Sequence, residues 1–361
     1  MEKKKIIIYV ESLKGAGGIE RIVSQLVEEW KKIYELKIFT KDKGEIYFSS
    51  EFKDVKIISL NCKRIINMHN RFQRCWSTFI NLFVSIKKIS CLIKKEKFDY
   101  IYVTTPLNAL ECICAGIKPQ KIIVSEHGSA LGVNKIYRII KKYTYPKVKC
   151  VSVPNKMDVD IYKEYGANAV YIPHLVKKIE YNKERYDKKV MLNVGRLTKD
   201  KQQELLIECW NDALAYSDWE LWIVGDGEEK NNLESKIKKL NLEGKIKLFS
   251  STKNIDSFYK NATFFILSSK YEGFGLVLVE AMSYALPCIS FDCPSGPRDV
   301  IEDGKNGFLI KKNKTDMINT LKKITKLTEE DIKIMAQNSQ KTIEEWDNEY
   351  ILNKWKKIFE S

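Results

Sequence analysis

Ser268-Ser-Lys-Tyr-Glu-Gly-Phe-Gly-Leu-Val-Leu-Val-Glu-Ala-Met282 is the stretch on which the reading of this chain turns. Ahead of it, Ala262-Thr-Phe-Phe-Ile-Leu267 is an apolar, β-branched and aromatic run, the composition of a buried parallel strand. Behind it, residues 276–284 carry apolar side chains at helical spacing, with Leu276 at the start. Gly273 and Gly275 allow backbone N–H groups to approach a ligand with no Cβ in the way. A helix N-terminus with free N–H groups attracts anions, so a phosphate is expected at this turn. Glu272, at the mouth of the turn, can accept hydrogen bonds from sugar hydroxyls, and Glu280, one turn into the helix, can take a vicinal pair such as that of a ribose. A phosphate cradle between two hydroxyl acceptors is what a nucleotide-sugar requires. The plainer alternative is a core helix with two incidental glutamates.

Composition bounds the rest. A chain of 361 residues exceeds one ordinary core and predicts two domains. Hydrophobic content of 44% and aromatic content of 11% are values of a folded globular chain. No apolar run reaches the roughly 18 residues needed to span a bilayer. Met1-Glu-Lys-Lys-Lys-Ile-Ile-Ile-Tyr-Val10 is basic and then apolar, but polar residues resume at Glu11, so it reads as a first strand rather than a signal peptide. The cysteines number nine, and the nearest pair, Cys112-Ile-Cys114, has no matching second pair. Reduced cytosolic thiols are the expectation. Charge is placed unevenly: residues 1–172 hold 31 Lys and Arg against 17 Asp and Glu, and residues 173–361 hold 31 against 30. The first half therefore calls for an anionic partner, whether nucleic acid, anionic lipid or a phosphorylated acceptor. Nucleic acid rests on the charge alone, with no recognisable binding motif.

The E-x7-E spacing from Glu272 to Glu280, with its Gly-Phe-Gly turn and following Ala-Met, resembles the signature of the family-4, or group 1, retaining glycosyltransferases. That resemblance implies the GT-B fold: α/β, two facing Rossmann-like domains with an interdomain cleft. The expected division is 1–172 for an acceptor-binding domain, 173–341 for a nucleotide-sugar domain, and 342–361 for a terminal helix crossing back to the first domain. Residues 177–189, polar and charged, read as the linker.

Further segments fit the same family. The strand Val190-Met-Leu-Asn-Val194 runs into Gly195-Arg-Leu-Thr-Lys-Asp-Lys201. Two cations at such a strand-to-helix turn, Arg196 and Lys201, can neutralise a diphosphate, with Arg binding bidentately; a solvated loop pair is the bland alternative. Gly225-Asp-Gly-Glu228 resembles the family's glycine loop beside the nucleotide, and the backbone at Ser250-Ser-Thr252, centred on Ser251, lies where the family holds the nucleobase. Near the N-terminus, a dinucleotide fingerprint fails, because with Gly15 and Gly17 in place it needs glycine where Glu20 stands. Gly17-Gly18 instead resembles the family's N-terminal loop near donor and acceptor. His127, after the strand at 121–125, matches the family's histidine that contacts the donor sugar; a structural histidine is the alternative. His69 and His174 receive no role. The Gly296-Pro297 turn and the later Gly304-Lys-Asn-Gly307 resemble the family, which commonly carries Glu where Asp299 stands, and the Cys293-Pro-Ser-Gly-Pro297 form resembles bacterial surface-polysaccharide members.

Two basic helical segments lie in the first half. Residues 61–98 place Phe72, Trp76, Phe79, Ile80, Phe83, Ile86 and Ile89 at helical spacing, flanked by Lys63, Arg64, Arg71, Arg74, Lys87 and Lys88 and by Lys94, Lys95 and Lys97. Residues 136–149 add Lys141, Lys142, Lys147 and Lys149 to Lys135 and Arg138. A membrane-surface helix has this pattern, and so does an ordinary helix with a solvated basic face. Asp158-Val-Asp160 spells a D-x-D, but inside a helix expected over 155–165, so no metal site is expected there.

What the resemblance implies is transfer of a hexose or N-acetylhexosamine, from a UDP-sugar rather than a GDP-sugar, with retention by front-face attack. The acceptor is expected to be a polyprenyl-diphosphate-linked glycan at the cytoplasmic face of the inner membrane, in synthesis of a surface polysaccharide such as lipopolysaccharide or capsule. The basic first domain would meet the anionic membrane surface peripherally. No metal or cofactor is expected. The alternative within the fold is a nucleotide-sugar epimerase, which needs no acceptor.

Overall fold

The computed structural model describes residues 3–15, 17–62, 71–179 and 188–361, with side chains from residue 80 onward in the helix that opens at Arg71. Lys63, Arg64 and residues 180–187 of the expected linker lie outside the described residues, as do the side chains of Arg71, Phe72, Arg74, Trp76 and Phe79. The chain divides into two compact units, Met1–Leu175 with Tyr350–Ser361, and Val176–Glu349.

The first unit is built on seven parallel strands: β1 (Lys5–Val10), β2 (Glu35–Thr40), β3 (Lys56–Ser59), β4 (Tyr100–Val103), β5 (Ile122–Ser125), β6 (Cys150–Val153) and β7 (Ala169–Tyr171). Their spatial order is β3-β2-β1-β4-β5-β6-β7. The strands are short apolar runs because a parallel sheet is covered on both faces, and every β1 residue after Lys5 is buried. Ile6 pairs with Leu36 on one side and Tyr100 on the other, so the strand order reverses between β1 and β4. Ligands of open parallel sheets bind outside the carboxyl ends of strands at such a reversal.

Helices α1 (Gly18–Trp30), α2 (Arg71–Ile93), α3 (Pro106–Cys114), α4 (Lys135–Thr144) and α5 (Lys156–Glu164) complete the connections. The expected second basic helix, 136–149, is cut short at Thr144. Pro146 lacks the N–H that would continue it, and the Lys147 amide turns back to the Thr144 carbonyl at 3.1 Å. Helix α3, not foreseen, is started by Pro106 and by Thr105, whose hydroxyl accepts the Asn108 amide.

The second unit repeats the plan with six parallel strands: β8 (Val190–Val194), β9 (Glu220–Val224), β10 (Ile246–Phe249), β11 (Phe264–Leu267), β12 (Cys288–Phe291) and β13 (Gly307–Ile310). The order is β10-β9-β8-β11-β12-β13, so the reversal falls between β8 and β11. Its helices are α6 (Gln203–Leu214), α7 (Lys230–Lys239), α8 (Ile255–Asn261), α9 (Leu276–Ser283), α10 (Lys314–Ile324) and α11 (Glu329–Glu344). Trp210, Phe264, Ile266 and Met317 centre one core cluster, and Phe265, Phe274, Leu278 and Met282 centre the other.

A single terminal helix from Thr342 is not what forms. Thr342 to Glu344 close α11, and α12 (Asn348–Glu360) follows after a break. The residues of the break are used as anchors instead. Trp346 meets the Phe274 ring edge-on at 5.7 Å, and the Asn348 side chain bonds both the N–H and the C=O of Val176, at 3.0 and 2.7 Å. From Tyr350 onward the chain is grouped with the first unit, where Trp355 and Phe359 pack edge-on against Trp30.

Candidate functional site

The reversal between β8 and β11 places two loops side by side at the carboxyl ends of those strands in the second unit. One is 195–202, after β8; the other is 268–275, after β11. They are fastened by backbone groups: the Ser268 hydroxyl donates to the Lys201 carbonyl and the Lys270 amide to the Asp200 carbonyl, each at 2.8 Å. Gln202 takes a left-handed φ of 54° and ends the first loop. Gln203 then reaches back, its side-chain amide donating to the Arg196 carbonyl at 3.0 Å. The loop is thereby rigid while the Arg196 side chain is exposed and makes no hydrogen bond or ion pair among the described residues.

A third loop, after β9, presses on the first from the other side. The Gly195 amide donates to the Val224 carbonyl and the Leu197 amide to the Asp226 carbonyl, at 3.1 and 2.9 Å. A Cβ on Gly225 would lie 1.9 Å from the Gly195 carbonyl oxygen, and one on Gly227 would lie 2.2 Å from that of Leu197. The Gly-x-Gly is therefore required by the approach of two backbones. Asp226 accepts both the amide and the hydroxyl of Ser251, and this bonding, the hydroxyl first, holds its carboxyl below the usual range. The Ser251 amide is thus occupied within the chain.

The E-x7-E element completes the arrangement. Lys201 Nζ and Glu272 Oε1 form an ion pair at 2.7 Å, with both side chains largely buried. Ser295, at a left-handed φ of 64°, donates to the Glu272 carbonyl at 2.8 Å. Gly296, at φ 75°, lies so close to Phe274 that a Cβ would meet its backbone at 3.0 Å. The Pro-Ser-Gly-Pro loop thus clamps the 272–274 backbone from behind. Gly275, at φ 84°, opens α9 with no side-chain cap. The Leu278 amide is taken by the Gly275 carbonyl at 2.8 Å, and the Leu276 and Val277 amides head the helix. Glu280 follows one turn later and accepts the Tyr259 hydroxyl at 3.1 Å, while the Tyr259 ring stacks on Tyr284. Phe274, expected among the donor-binding residues, points the other way. Its ring is 2% exposed and sits in the core against Trp346. Burying that ring anchors the turn; Gly273 and Gly275 are buried with it, and Leu276 and Val277 are the half-buried residues that follow at the head of α9. From sequence, Trp346 reads only as an apolar residue of the terminal helix and Ser295 only as part of the Gly-Pro turn, and neither receives a site role.

The first unit holds the other expected residues. Gly17 caps α1, and the Glu20 carboxylate folds back over it, within 2.5 Å of where a Cβ would be. The anion position at this helix start is filled by the chain's own side chain. His127 follows β5, and neither of its ring nitrogens has a hydrogen-bond partner among the described residues. Burial lowers its pKa to about 3, so the imidazole is neutral at pH 7. It stacks on His174 at 5.4 Å, a residue given no role from sequence, whose pKa burial and His127 together push well below normal. Sequence spacing carries no signal for this pair, because β5 and β7 bring it together.

Beside His127 lies a buried polar network. Glu126 accepts from Lys141 at 3.0 Å and from the Tyr145 hydroxyl, and Lys141 also donates to the Tyr162 hydroxyl at 2.7 Å. Burial raises the Glu126 pKa against the pull of Lys141. Lys141, expected on a basic outer face, is 2% exposed and belongs to this network. Asp158 of the D-x-D is also buried, its Oδ2 accepting from the Ala130 amide at 2.9 Å and from the Asn155 side chain at 3.0 Å. It fastens the 127–130 loop. Among the described residues no cluster of His, Cys, Asp or Glu could hold a metal ion.

The chain resembles known proteins along nearly its whole length. Residues 177–345 match the family described as glycosyl transferases group 1. The chain is 25% identical, over 98% of its length and 99% of the relative's, to the amylovoran biosynthesis glycosyltransferase AmsD of Erwinia amylovora. It is 24% identical, over 98% and 97%, to a Campylobacter jejuni alpha-1,4-N-acetyl-D-galactosaminyltransferase whose name gives a diNAcBac-PP-undecaprenol glycan. A Staphylococcus aureus TarM variant, solved with fondaparinux, alpha-GlcNAc-glycerol and UDP, superposes with a TM-score of 0.82 at 18% identity, covering 99% of this chain and 100% of that one.

Proposed function

Because this chain belongs to the group 1 glycosyltransferases of the GT-B fold, we propose that it moves a hexose or N-acetylhexosamine from a UDP-sugar to a polyprenyl-diphosphate-linked glycan, with retention, in synthesis of a bacterial surface polysaccharide. The observation that carries the reading is the junction of the 195–202 and 268–275 loops at the reversal of the second sheet, where Lys201 pairs with Glu272 ahead of α9 and Arg196 stands exposed on the same loop as Lys201. The donor class is supported by the UDP in the TarM structure, and the acceptor class by the lipid-linked glycan in the name of the Campylobacter relative.

The residues divide the work by charge. The diphosphate takes Lys201 as its cation and displaces Glu272 from the 2.7 Å pair. Glu272, released, accepts hydrogen bonds from the sugar. Arg196 adds a second cation, and the Leu276 and Val277 amides add the positive end of α9. Glu280 accepts the ribose hydroxyls. As the acceptor oxygen bonds to the anomeric carbon, the bond from that carbon to the diphosphate breaks on the same face, and the departing phosphate oxygen takes the acceptor proton. Fixed positive charge at the departing phosphate is the dominant contribution in such a site, and it makes a metal ion dispensable. Glu272 acts by hydrogen bonding and not as a nucleophile. His127 is the substrate contact of the first unit, offering a neutral imidazole. No helix among the described residues is long and apolar enough to cross a membrane, and we place the enzyme peripherally at the cytoplasmic membrane face.

The test is a screen of UDP- and GDP-sugars with and without polyprenyl-diphosphate glycans, following nucleotide release. Acceptor-dependent release of UDP, lost in Glu272→Ala and Arg196→Ala, is the expected result. Release without acceptor would move the reading to an epimerase or hydrolase.

A further inference from the structure

Helix α8 follows the 250–252 segment expected at the nucleobase and leads into β11, and its Tyr259 is buried. The Tyr259 ring lies almost parallel to that of Tyr284, with 6° between the planes and 5.2 Å between centroids, and leans on Phe265 of β11 at 6.1 Å. Tyr284 caps the C-terminus of α9, and Glu280 lies one turn before it on the same helix face. A tyrosine stacked on residue 284 is therefore placed to carry its hydroxyl to residue 280, and Tyr259 donates to Glu280 Oε2 at 3.1 Å. Tyrosine has only two side-chain torsions, and stacking with burial fixes both, so this donor is in place before any ligand arrives. Glu280 itself is half-buried. At 3.1 Å the bond is longer than the roughly 2.5–2.7 Å of a tight hydroxyl–carboxylate pair. It sets the plane of a group with about four acceptor positions and leaves capacity for other hydroxyls.

We infer that Tyr259 is a positioning residue for the donor nucleotide: it holds the Glu280 carboxylate in the orientation that accepts the ribose hydroxyls, and so sets a preference for ribonucleotides over deoxyribonucleotides. This deepens the reading above and rests on its assignment of the ribose to Glu280. Such a preference is a difference of two affinities. A glutamate swinging on a free side chain would have to be ordered by the ligand, at a cost to the binding of the ribonucleotide. Tyr259 removes that cost beforehand, and a ligand lacking a ribose hydroxyl gains less from the arrangement. A buried tyrosine also needs a partner for its own hydroxyl, whatever the ligand. If that were the whole purpose of the bond, losing it would weaken all nucleotides alike. Selectivity, and not stability, separates the two roles.

The experiment is titration calorimetry of UDP and 2′-deoxy-UDP against the full chain, Tyr259→Phe, Glu280→Gln and the double variant. Phenylalanine keeps the ring, its stack on Tyr284 and its core contacts, and circular dichroism checks the fold. The parent should prefer UDP about tenfold, the size of one hydrogen bond to a charged group. Tyr259→Phe should weaken UDP about threefold and leave 2′-deoxy-UDP unchanged, so that the preference falls to about threefold. Glu280→Gln should abolish the preference. Adding Tyr259→Phe to Glu280→Gln should change UDP affinity less than about twofold, since the hydroxyl acts through that carboxylate. With a UDP-sugar, Tyr259→Phe should raise donor KM about threefold while kcat stays within about twofold, because the bond lies at the ribose and not at the breaking bond. An unchanged preference in Tyr259→Phe overturns the proposal, and so does equal weakening of both nucleotides; in either case the transferase reading stands. Equal binding of UDP and 2′-deoxy-UDP by the parent removes the ribose from Glu280 and the proposal with it. Absence of UDP binding by the folded parent strikes the transferase reading as well.

Discussion

Substituting Gly225 by alanine tests whether the proposed donor cradle depends on the contact between the loops after β8 and β9. The added Cβ would stand 1.9 Å from the Gly195 carbonyl oxygen, where real Cβ atoms do not come within 3.0 Å. Backbone is the obstacle, so no side chain can swing aside. The loops must separate by about 1 Å, and the displaced loop is the one carrying Arg196 and Lys201. A misplacement of about 1 Å costs roughly a hundredfold in rate, or about 2.7 kcal/mol of transition-state stabilisation. Overpacking of this kind also costs about 1–3 kcal/mol of stability. The assay is kcat/KM for UDP release alongside UDP affinity and Tm. Gly244→Ala is the internal control, because nothing lies within 4 Å of its Cβ, and its effect should stay within about 0.5 kcal/mol. If Gly225→Ala kept UDP affinity and turnover within about threefold of the parent, the reasoning from loop contact to donor cradle would fail.

Other outcomes follow from the same geometry. Lys201→Met should lower kcat about 10²–10³-fold, as removal of one preorganised charge donor does, and should destabilise the fold by leaving Glu272 without its cation. Adding Glu272→Gln should restore Tm but not turnover, which calorimetry and kinetics separate. Glu280→Gln should raise donor KM about tenfold with kcat nearly unchanged, the size of one lost charged hydrogen bond. His127, with its pKa lowered from 6.5 to about 3, contributes stability that is complete above pH 6.5 and lost as pH falls toward 3. Urea unfolding of His127→Gln should therefore show a smaller loss between pH 7 and pH 4 than the parent; an equal loss would mean the ring is not desolvated.

The sheets were legible because parallel strands buried on both faces leave apolar runs, as in Ile6 to Val10 and Phe264 to Leu267. The turns at Arg196 and Glu272 were legible because Gly and charge at strand ends have few other uses. What escaped depends on long-range packing. Phe274 looked like part of a ligand turn, yet its ring fills a core gap beside Trp346, a residue 72 positions away in sequence. Lys141 looked like one more cation on a basic helix until Glu126 drew it inward. The stacking of His127 on His174 joins the segments after β5 and β7, which flank β6, and has no periodicity to betray it. Pro146 could have ended α4 on the page, since a proline stops a helix from sequence alone.

The central claim is that the second unit binds a nucleotide diphosphate through Arg196, Lys201 and the head of α9. Titration calorimetry of UDP against the full chain, Arg196→Ala and Lys201→Met tests it most directly. The account predicts one site in the parent, weakened in both variants, with the parent's affinity falling as salt is raised. Absence of UDP binding by the folded parent, or equal binding by all three proteins, would contradict it.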